Sequence, residues 1–235
     1  ALSMISDDSF YMEMKKDYAP EMVTAFIRLN GATVGCVANR SEVYTDGEKT
    51  ATYDAALTAA GCEKAAAFVN FCNAFEIPVL TLVNVDGYKN CKCNEKKIAK
   101  AAARLTYAFA NADVPKVTVV VGKANGTAGL TMNSKSIGSD IVYAWKNAKI
   151  GVMEAAPAVK IMYADEIAKA DNAAALINEK AAQYNEMQAS ALAAAKRGYV
   201  DDIIEASETR QRVVAAFEML FTKREDRPSK KHGTI

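Results

Sequence analysis

The stretch best suited to chemistry is "GKANGTAGLTMNSK", residues 122–135. It follows an apolar run typical of a buried strand and leads into a predicted helix. Small residues let a ligand approach the backbone closely, and the first N–H groups of a helix have no partner inside it. Such a turn can stabilise negative charge on a carbonyl or enolate oxygen. A helix start selected for tight packing explains the same pattern.

A second stretch, "VNVDGYKNCKCNEKK", occupies residues 83–97. It leaves the C-terminal end of a predicted central strand, which is where open α/β sheets bind their ligands. A ligand site here would use Asp86, Gly87 and the backbone that follows. The alternative is an ordinary solvated loop between a strand and a helix.

Two further clusters are predicted to be structural. Cys91 and Cys93 have the spacing of a metal-binding pair, but no second Cys or His pair completes four ligands, so we predict two reduced surface thiols and no metal. Asp201 and Asp202 are adjacent, and neighbouring residues seldom face one another, which favours a solvated turn or cap. The basic "SKKH" near the end is predicted to be a solvated tail.

The composition excludes several classes of function. His232 is the one histidine, which excludes a Ser-His-Asp triad, a Cys-His pair and an HExxH zinc site. The 235 residues have a net charge of +1, so nothing draws the chain to nucleic acid or anionic lipid. Catalysis would have to use backbone groups, carboxylates, lysines or a cofactor.

The five scattered cysteines predict reduced thiols and a cytoplasmic location. The sequence contains no uncharged apolar stretch of about 18 residues, so we predict no direct membrane insertion. The opening "ALSMISDDSF" lacks the pattern of a signal peptide, and we expect a start in mid-domain, as in a fragment or a split subunit.

The elements predicted around these stretches are those of an α/β protein. Residues 9–39 alternate as β-structure, and residues 40–60, with a turn signal at Asp46-Gly47, are predicted to be a loop. Residues 61–76 carry a helical apolar stripe, and "VLTLVNV" after Pro78 is typical of a strand buried on both faces. The stripe consists of Ala65, Phe68, Val69, Cys72 and Phe75.

This helix–strand unit recurs, with Pro115 in the place of Pro78, and such repeats build parallel sheets covered by helices. A short helix is predicted within residues 126–138, then strands at "DIVYAW" and "KIGVM". Residues 154–223 are predicted to be mostly helical, followed by a charged tail of twelve residues.

Four strings together resemble the carboxyltransferase β-subunit family of propionyl-CoA and acetyl-CoA carboxylases and the related sodium-pumping decarboxylases. They run in order over nearly the whole chain, which makes the resemblance specific. They are "DDSFYMEMKKDYAPEMVTAFIRLNGATVGCVANR", "EKAAAFVNFCNAFEIPVLTLVNVDGY", "LTYAFANADVPKVTVVVGKANGTAGLTMNSKSIGSDIVYAWKNAKIGVM" and "AAAKRGYVDDIIEASETRQRVVAAFEMLFTKREDRPSKKHGTI".

The resemblance implies a crotonase-like (ClpP/crotonase) α/β fold, a spiral of ββα units with a helical C-terminal region. Residues 1–235 would form a single C-terminal carboxyltransferase domain, with the family's N-terminal half absent from this chain. In the family the N-terminal half mainly binds acyl-CoA, the C-terminal half mainly contacts biotin, and the active site forms between the two halves of different protomers. The implied partners are that N-terminal half, a biotin carboxyl carrier protein, acyl-CoA and further copies of the chain.

The resemblance also implies roles for individual residues. The backbone of Gly126, Thr127 and Ala128 would form an oxyanion hole for the biotin enolate, with biotin itself as the base on acyl-CoA. The biotin-side loop would be Asp86, Gly87 and Tyr88, and the substrate pocket would include Asn125, Gly129 and Leu130. Biotin would be carried on a separate domain or protein.

Several positions depart from the family pattern. The family turn is approximately "AYGGAY" or "AYGSAY" and is "ANGTAG" here, while "DVPGF" becomes "NVDGY". The helix pattern "GGIIRHGAK" becomes "KKIAKAAAR", and "MGPEGA" becomes "MEAAPA" from Met153. Leu130 stands where propionyl-type enzymes carry an aspartate. These changes surround the expected biotin site.

We therefore predict an enzyme domain that transfers a carboxyl group between carboxybiotin and an acyl-CoA of the acetyl or propionyl type, inactive without the other half. One alternative is the α subunit of a methylmalonyl-CoA-type decarboxylase, which runs the transfer in the opposite direction. Another is a non-catalytic assembly module that keeps the fold, motivated by the altered turn and helix. A third is a crotonase-like hydratase or isomerase, which the ordered matches disfavour.

Overall fold

A computed structural model describes residues 2–45 and 48–225, and its centre is a mixed β-sheet. In the described residues this sheet has the strand order β1-β2-β3-β7-β9-β10-β12, and β11 pairs with β9 as well. The strands are β1 (Met12–Met14), β2 (Met22–Leu29), β3 (Ala32–Asn39), β4 (Glu42–Thr45), β5 (Glu48–Thr52), β6 (Ala56–Leu57), β7 (Val79–Val85), β8 (Gly87–Tyr88), β9 (Lys116–Asn125), β10 (Ile141–Trp145), β11 (Lys149–Gly151) and β12 (Asp202–Ile204).

The helices flank this sheet and extend from it toward the C-terminal region. Single 3-10 turns lie at Asp7–Ser9, Lys135–Ile137, Ala206–Glu208 and Leu220–Thr222. The α-helices are α1 (Leu2–Ile5), α2 (Ala59–Ala74), α3 (Lys92–Asn111), α4 (Gly126–Thr131), α5 (Ala155–Met162), α6 (Ala164–Lys169), α7 (Ala173–Met187), α8 (Ala191–Lys196) and α9 (Thr209–Met219).

The predicted helix–strand repeat is confirmed. β3, β7, β9, β10 and β12 pair in parallel, after an antiparallel start at β1 and β2. The two prolines occupy equivalent places before β7 and β9. The carbonyl of Pro78 accepts from Gly35 N–H at 2.9 Å, and that of Pro115 accepts from Val79 N–H at 2.8 Å. Each proline thus starts a strand without giving up a ladder donor.

Two apolar cores lie on the two faces of the sheet. One contains the inner faces of α2 and α3, with Leu105 and Phe109 fully buried, and the other packs α9 against the opposite face around Ile27 and Val213. Burial on both faces explains why β7 and β9 are continuous apolar runs. The candidate site lies where these buried strands end.

Some sequence predictions of structure were wrong. Residues 40–60 are not a loop, since β4 and β5 form an antiparallel hairpin, β6 follows, and α2 has begun by Ala59. The hairpin is largely exposed, so no apolar alternation marks it; the turn signal at Asp46-Gly47 lies outside the described residues. Helix α2 ends at Ala74, and Phe75 is 65% exposed instead of completing the buried stripe.

The C-terminal region is mostly helical as predicted, but it contains β12. Asp202 is the first residue of that strand, so it does not lie in a turn. Asp201 accepts from Val142 N–H and from Lys135 Nζ, each at 2.8 Å, and so joins β10 to the chain before β12. The prediction of a solvated turn or cap is therefore wrong for Asp202, while Asp201 stabilises the join between β10 and the residues before β12.

The single histidine, His232, and the basic "SKKH" lie outside the described residues. Within residues 2–45 and 48–225, the helices are too short or too polar to cross a membrane.

Candidate functional site

Three parallel strands end side by side and bring the two predicted stretches together. Val85 of β7 pairs with Ala124 of β9, and Gly151 of β11 pairs with Asn125 of β9. The residues that follow β7 and β9 therefore leave the same edge of the sheet. This is the carboxyl edge, at which parallel α/β sheets bind ligands.

The turn from β9 into α4 requires glycine at two positions. Gly126 has a φ of +57°, in the left-handed region, and a Cβ there would lie 3.0 Å from the carbonyl oxygen of Val152. A Cβ on Gly129 would lie 2.7 Å from the carbonyl carbon of Ala124. The small residues of the turn thus bring backbone against backbone, which is the tight packing that the sequence left open as the alternative to a ligand site.

The first turn of α4 is not capped by the side chain that precedes it. Asn125 is the N-cap residue and is 4% exposed, but its side chain accepts no hydrogen bond from the helix. Its Nδ2 instead donates to Asp86 Oδ1 at 3.1 Å. Because Asn125 is turned toward Asp86, the first N–H groups of α4 keep their capacity to donate to a ligand.

A network of charged side chains borders this turn. Lys123 Nζ donates to Asp86 Oδ2 at 2.9 Å and to Glu154 Oε1 at 2.7 Å. The hydrogen bonds that Lys123 donates to Glu154 and Asp86 raise the pKa of Lys123, and the bond from Lys123 lowers the pKa of Glu154. Lys123 is therefore charged and Glu154 ionised at neutral pH. Because Lys123 and Glu154 are held in an ion pair, they are better suited to stabilising the position of Asp86 than to transferring a proton.

Tyr88 links residues 83–97 to residues 122–135 through a further hydrogen bond. Its hydroxyl lies 3.1 Å from Thr131 Oγ1, and Thr131 in turn donates to the carbonyl of Thr127 at 2.9 Å. Gly87 and Tyr88 form the short strand β8, which pairs with β6. The loop after β7 is thus fixed at both its backbone and its side chain.

The predicted site residues all lie within this edge, but they differ in accessibility. Asp86, Gly87, Tyr88 and Gly126 are half-buried, and Thr127 is exposed. Ala128 and Gly129 are buried, with Gly129 against Ala124. Leu130 is 45% exposed on the outer face of α4.

Sequence reasoning missed Lys123, Glu154 and Thr131 as members of the site. Lys123 directly follows Gly122 in the stretch that was singled out, and its spacing from the turn could have indicated it. The pairing of β11 with β9 brings Glu154 to Lys123, and helix α4 brings Thr131 to Tyr88. Thr131 lies in the same stretch as Lys123, but its contact with Tyr88 spans 43 residues and, like the contact of Glu154, leaves no local sequence pattern.

A groove lies at the opposite edge of the sheet. It has a volume of about 900 Å³ and is lined in part by Pro78, Pro115, Phe217 and Lys223. The two prolines precede β7 and β9, so this groove is at the amino edge. It has none of the turn geometry described above, and the carboxyl edge remains the better candidate.

The whole chain matches a family described as the carboxyl transferase domain, over residues 1–235. The chain belongs to this family. It is 40% identical over 235 residues to the methylmalonyl-CoA carboxyltransferase 12S subunit of Propionibacterium freudenreichii subsp. shermanii, covering 100% of this chain and 43% of that protein. It is also 40% identical to the methylmalonyl-CoA decarboxylase subunit alpha of Propionigenium modestum, and this match covers 100% of this chain and 44% of that protein.

Solved structures with the same fold agree with this assignment. The transcarboxylase 12S structure with hydrolysed methylmalonyl-coenzyme A bound superposes with a TM-score of 0.90 at 42% identity, covering 99% of this chain and 43% of that chain. The P. aeruginosa geranyl-CoA carboxylase beta subunit shares the fold, with a TM-score of 0.78 at 24% identity. The expected crotonase-like α/β carboxyltransferase fold is therefore confirmed.

The chain spans less than half the length of these relatives. Its family is established by the match over all 235 residues.

Proposed function

We propose that this chain is the C-terminal, biotin-facing domain of a carboxyltransferase that moves a carboxyl group between carboxybiotin and an acyl-CoA of the acetyl or propionyl type. The observation that carries the proposal is the uncapped turn at Gly126, set at the carboxyl edge of three parallel strands inside a carboxyl transferase fold. The transferase names of the relatives support the reaction class.

The residues of the turn fit a ligand that develops negative charge on an oxygen. Gly126 lets the turn take a positive φ and pack against the carbonyl of Val152, and the backbone N–H groups of Thr127 and Ala128 would donate to that oxygen. Biotin, when bound, supplies the group that carries the carboxyl. The side chain of Asn125 is committed to Asp86, so it leaves those N–H groups available.

The loop Asp86, Gly87 and Tyr88 would hold the biotin ring against the turn. Asp86 is fixed by Lys123 and Asn125, and Tyr88 by Thr131, so the loop needs little reorganisation to bind. Asn125, Gly129 and Leu130 would shape the neighbouring pocket. Of these, Leu130 offers the exposed apolar side chain that a short acyl group would contact.

The proposal includes partners that complete the site. The expected partners are the N-terminal half of the family, a biotin carboxyl carrier protein and further copies of the chain, and this chain alone would be inactive. The hexamer named for transcarboxylase 12S supports self-association. All five cysteines are unpaired, which fits the reducing cytoplasm.

The test is a carboxyl-transfer assay with the whole protein, using biotin carboxylated at N1 as donor and acetyl-, propionyl- or butyryl-CoA as acceptor. Transfer to one of these acceptors supports the proposal and identifies the acyl group. Absence of transfer in either direction from a folded assembly favours the non-catalytic assembly module. Activity in the decarboxylation direction alone favours the second candidate, motivated by the relative from Propionigenium modestum.

A further inference from the structure

Two thiols lie next to one another at the start of α3. The Sγ atoms of Cys91 and Cys93 are 2.9 Å apart, a separation between that of a disulfide, about 2.05 Å, and non-bonded contact. Cys93 is exposed and Cys91 is half-buried. Nothing in the proposed carboxyl transfer uses them.

The other three cysteines differ sharply from this pair. Cys36, Cys62 and Cys72 are all fully buried. Burial raises the pKa of Cys62 and of Cys72 to about 12, and it raises that of Cys36 as well. Since the thiolate is the reactive form of cysteine, reactivity in the folded protein is confined to Cys91 and Cys93.

The two thiols of the pair are not equivalent. Cys91 is the N-cap residue of α3, a helix of 20 residues, whose N-terminus favours negative charge. The hydrogen bond from Cys93 and the backbone N–H of Asn94 lower the pKa of Cys91. The same hydrogen bond raises the pKa of Cys93. Cys91 is thus suited to attack a disulfide first, and Cys93 to attack the mixed disulfide that forms on Cys91.

We propose that Cys91 and Cys93 form a reversible thiol–disulfide modification site whose oxidant is a low-molecular-weight disulfide such as oxidised glutathione. The Cys91 thiolate attacks one sulfur of the oxidant, forming a mixed disulfide and releasing one thiolate. Cys93 then loses its proton and attacks Cys91 Sγ, which releases the second thiolate. The pair loses two electrons and two protons, and the oxidant is reduced to two thiols.

A metal site explains the pair less well. Within residues 2–45 and 48–225, no group of three or more His, Cys, Asp or Glu side chains is arranged to hold an ion. Two sulfurs alone fall short of the four ligands that a structural zinc requires.

The disulfide would act on the neighbouring loop through Asn94, the residue after Cys93; this consequence rests on the proposed function of that loop. Asn94 is 6% exposed. Its Oδ1 accepts from Ala59 N–H at 2.7 Å, and its Nδ2 donates to the carbonyl of Lys89 at 2.7 Å. Bonding Cys93 to Cys91 reshapes the first turn of α3, so it would disturb the anchor that holds Lys89 and, next to it, Tyr88.

The test of the modification uses the whole protein and does not depend on carboxyl transfer. The folded protein should expose two maleimide-reactive thiols of this chain, and oxidised glutathione should reduce that number to zero. Mass spectrometry should find the Cys91–Cys93 peptide lighter by two hydrogens, and dithiothreitol should reverse the change. In Cys93→Ser, Cys91 should instead keep one glutathione. A stable glutathione adduct on the unsubstituted protein, or disulfides between chains, would overturn the proposal.

Hydrogen exchange tests the coupling to the loop separately. The N–H groups of Ala59 and Lys89, bonded to Asn94 Oδ1 and to the Leu57 carbonyl, should exchange faster after oxidation. They should be unchanged in Cys91→Ser treated with the same oxidant. Equal exchange in oxidised and reduced protein would remove the coupling and leave the modification site standing.

Discussion

Removing the carboxylate of Asp86 should destabilise the chain because a buried amide loses its acceptor. Asp86 accepts from Asn125 Nδ2 at 3.1 Å and from Lys123 Nζ at 2.9 Å. Asn125 is 4% exposed, so its amide depends on this acceptor more than a surface amide would. The expected outcome differs between Asp86→Ala, which loses both interactions, and Asp86→Asn, which keeps an oxygen for Asn125.

The magnitudes follow from the two interactions. A buried donor left without an acceptor costs about 1–3 kcal/mol. The ion pair is worth about 0.2–1 kcal/mol, because the side chains of Lys123 and Asp86 are 36% and 34% exposed and Lys123 keeps Glu154. We expect Asp86→Ala to lower the free energy of unfolding by about 2 kcal/mol and Asp86→Asn by about 0.5 kcal/mol.

Urea unfolding followed by circular dichroism measures both values. Glu154→Gln is the matched control, since it removes the other partner of Lys123 from a more exposed position; we expect a loss of about 0.5 kcal/mol or less. Equal losses in Asp86→Asn and Asp86→Ala would refute the argument, because the charge and not the Asn125 hydrogen bond would then dominate. An Asp86→Ala variant as stable as the unsubstituted chain would refute it as well.

Three further predictions concern the turn, the core and the C-terminal region. Gly129→Ala should cost about 1–2 kcal/mol in urea unfolding, because its Cβ would lie 2.7 Å from backbone of Ala124. The free energy of unfolding should fall as pH rises above 9.0, because the Cys62 thiol ionises in the unfolded chain but has a pKa of about 12 in the folded chain. In Cys62→Ala this fall should be shallower by up to about 1.4 kcal/mol per pH unit. Thr209→Val should cost about 1–2 kcal/mol and shift the fluorescence of Trp145, whose Nε1 donates to Thr209 Oγ1 at 2.9 Å.

Each of these predictions has a control. Gly87→Ala should be nearly neutral, since a Cβ there meets no atom within 4 Å. Thr209→Ser keeps the acceptor for Trp145 and should retain the fluorescence. Cys93→Ser should change the slope against pH less than Cys62→Ala does, because Cys93 is exposed and solvent screens its interaction with Cys91. A matched control that behaves like its test variant would contradict the corresponding argument.

The parallel core was predictable because burial on both faces leaves a simple mark. β7 and β9 are continuous apolar runs, each introduced by a proline, and the structure has both as central strands. The hairpin of β4 and β5 was missed since its residues are exposed and polar. β12 was missed because three residues beside Asp201 carry too little apolar pattern to distinguish a strand from a turn.

The candidate site was predictable to the extent that it is made of backbone. The small residues around Gly126 indicated a close turn, and the structure has one with a positive φ at that glycine. The side-chain frame was not predictable, because Lys123 meets Asp86 across 37 residues of chain and Glu154 across 31. Such contacts exist only once β7, β9 and β11 have paired.

In the proposed mechanism, backbone N–H groups at the Gly126 turn stabilise the charge that develops during carboxyl transfer. The most direct test is the rate of carboxyl transfer from N1-carboxybiotin to acyl-CoA by the whole protein, with Gly126→Val compared against Gly31→Val. Both glycines have positive φ, +57° and +80°, but Gly31 lies in the β2–β3 turn at the amino edge of the sheet. We predict a loss of about 100-fold or more for Gly126→Val alone, the effect of losing an oxyanion donor. Equal rates in the two folded variants would contradict the claim.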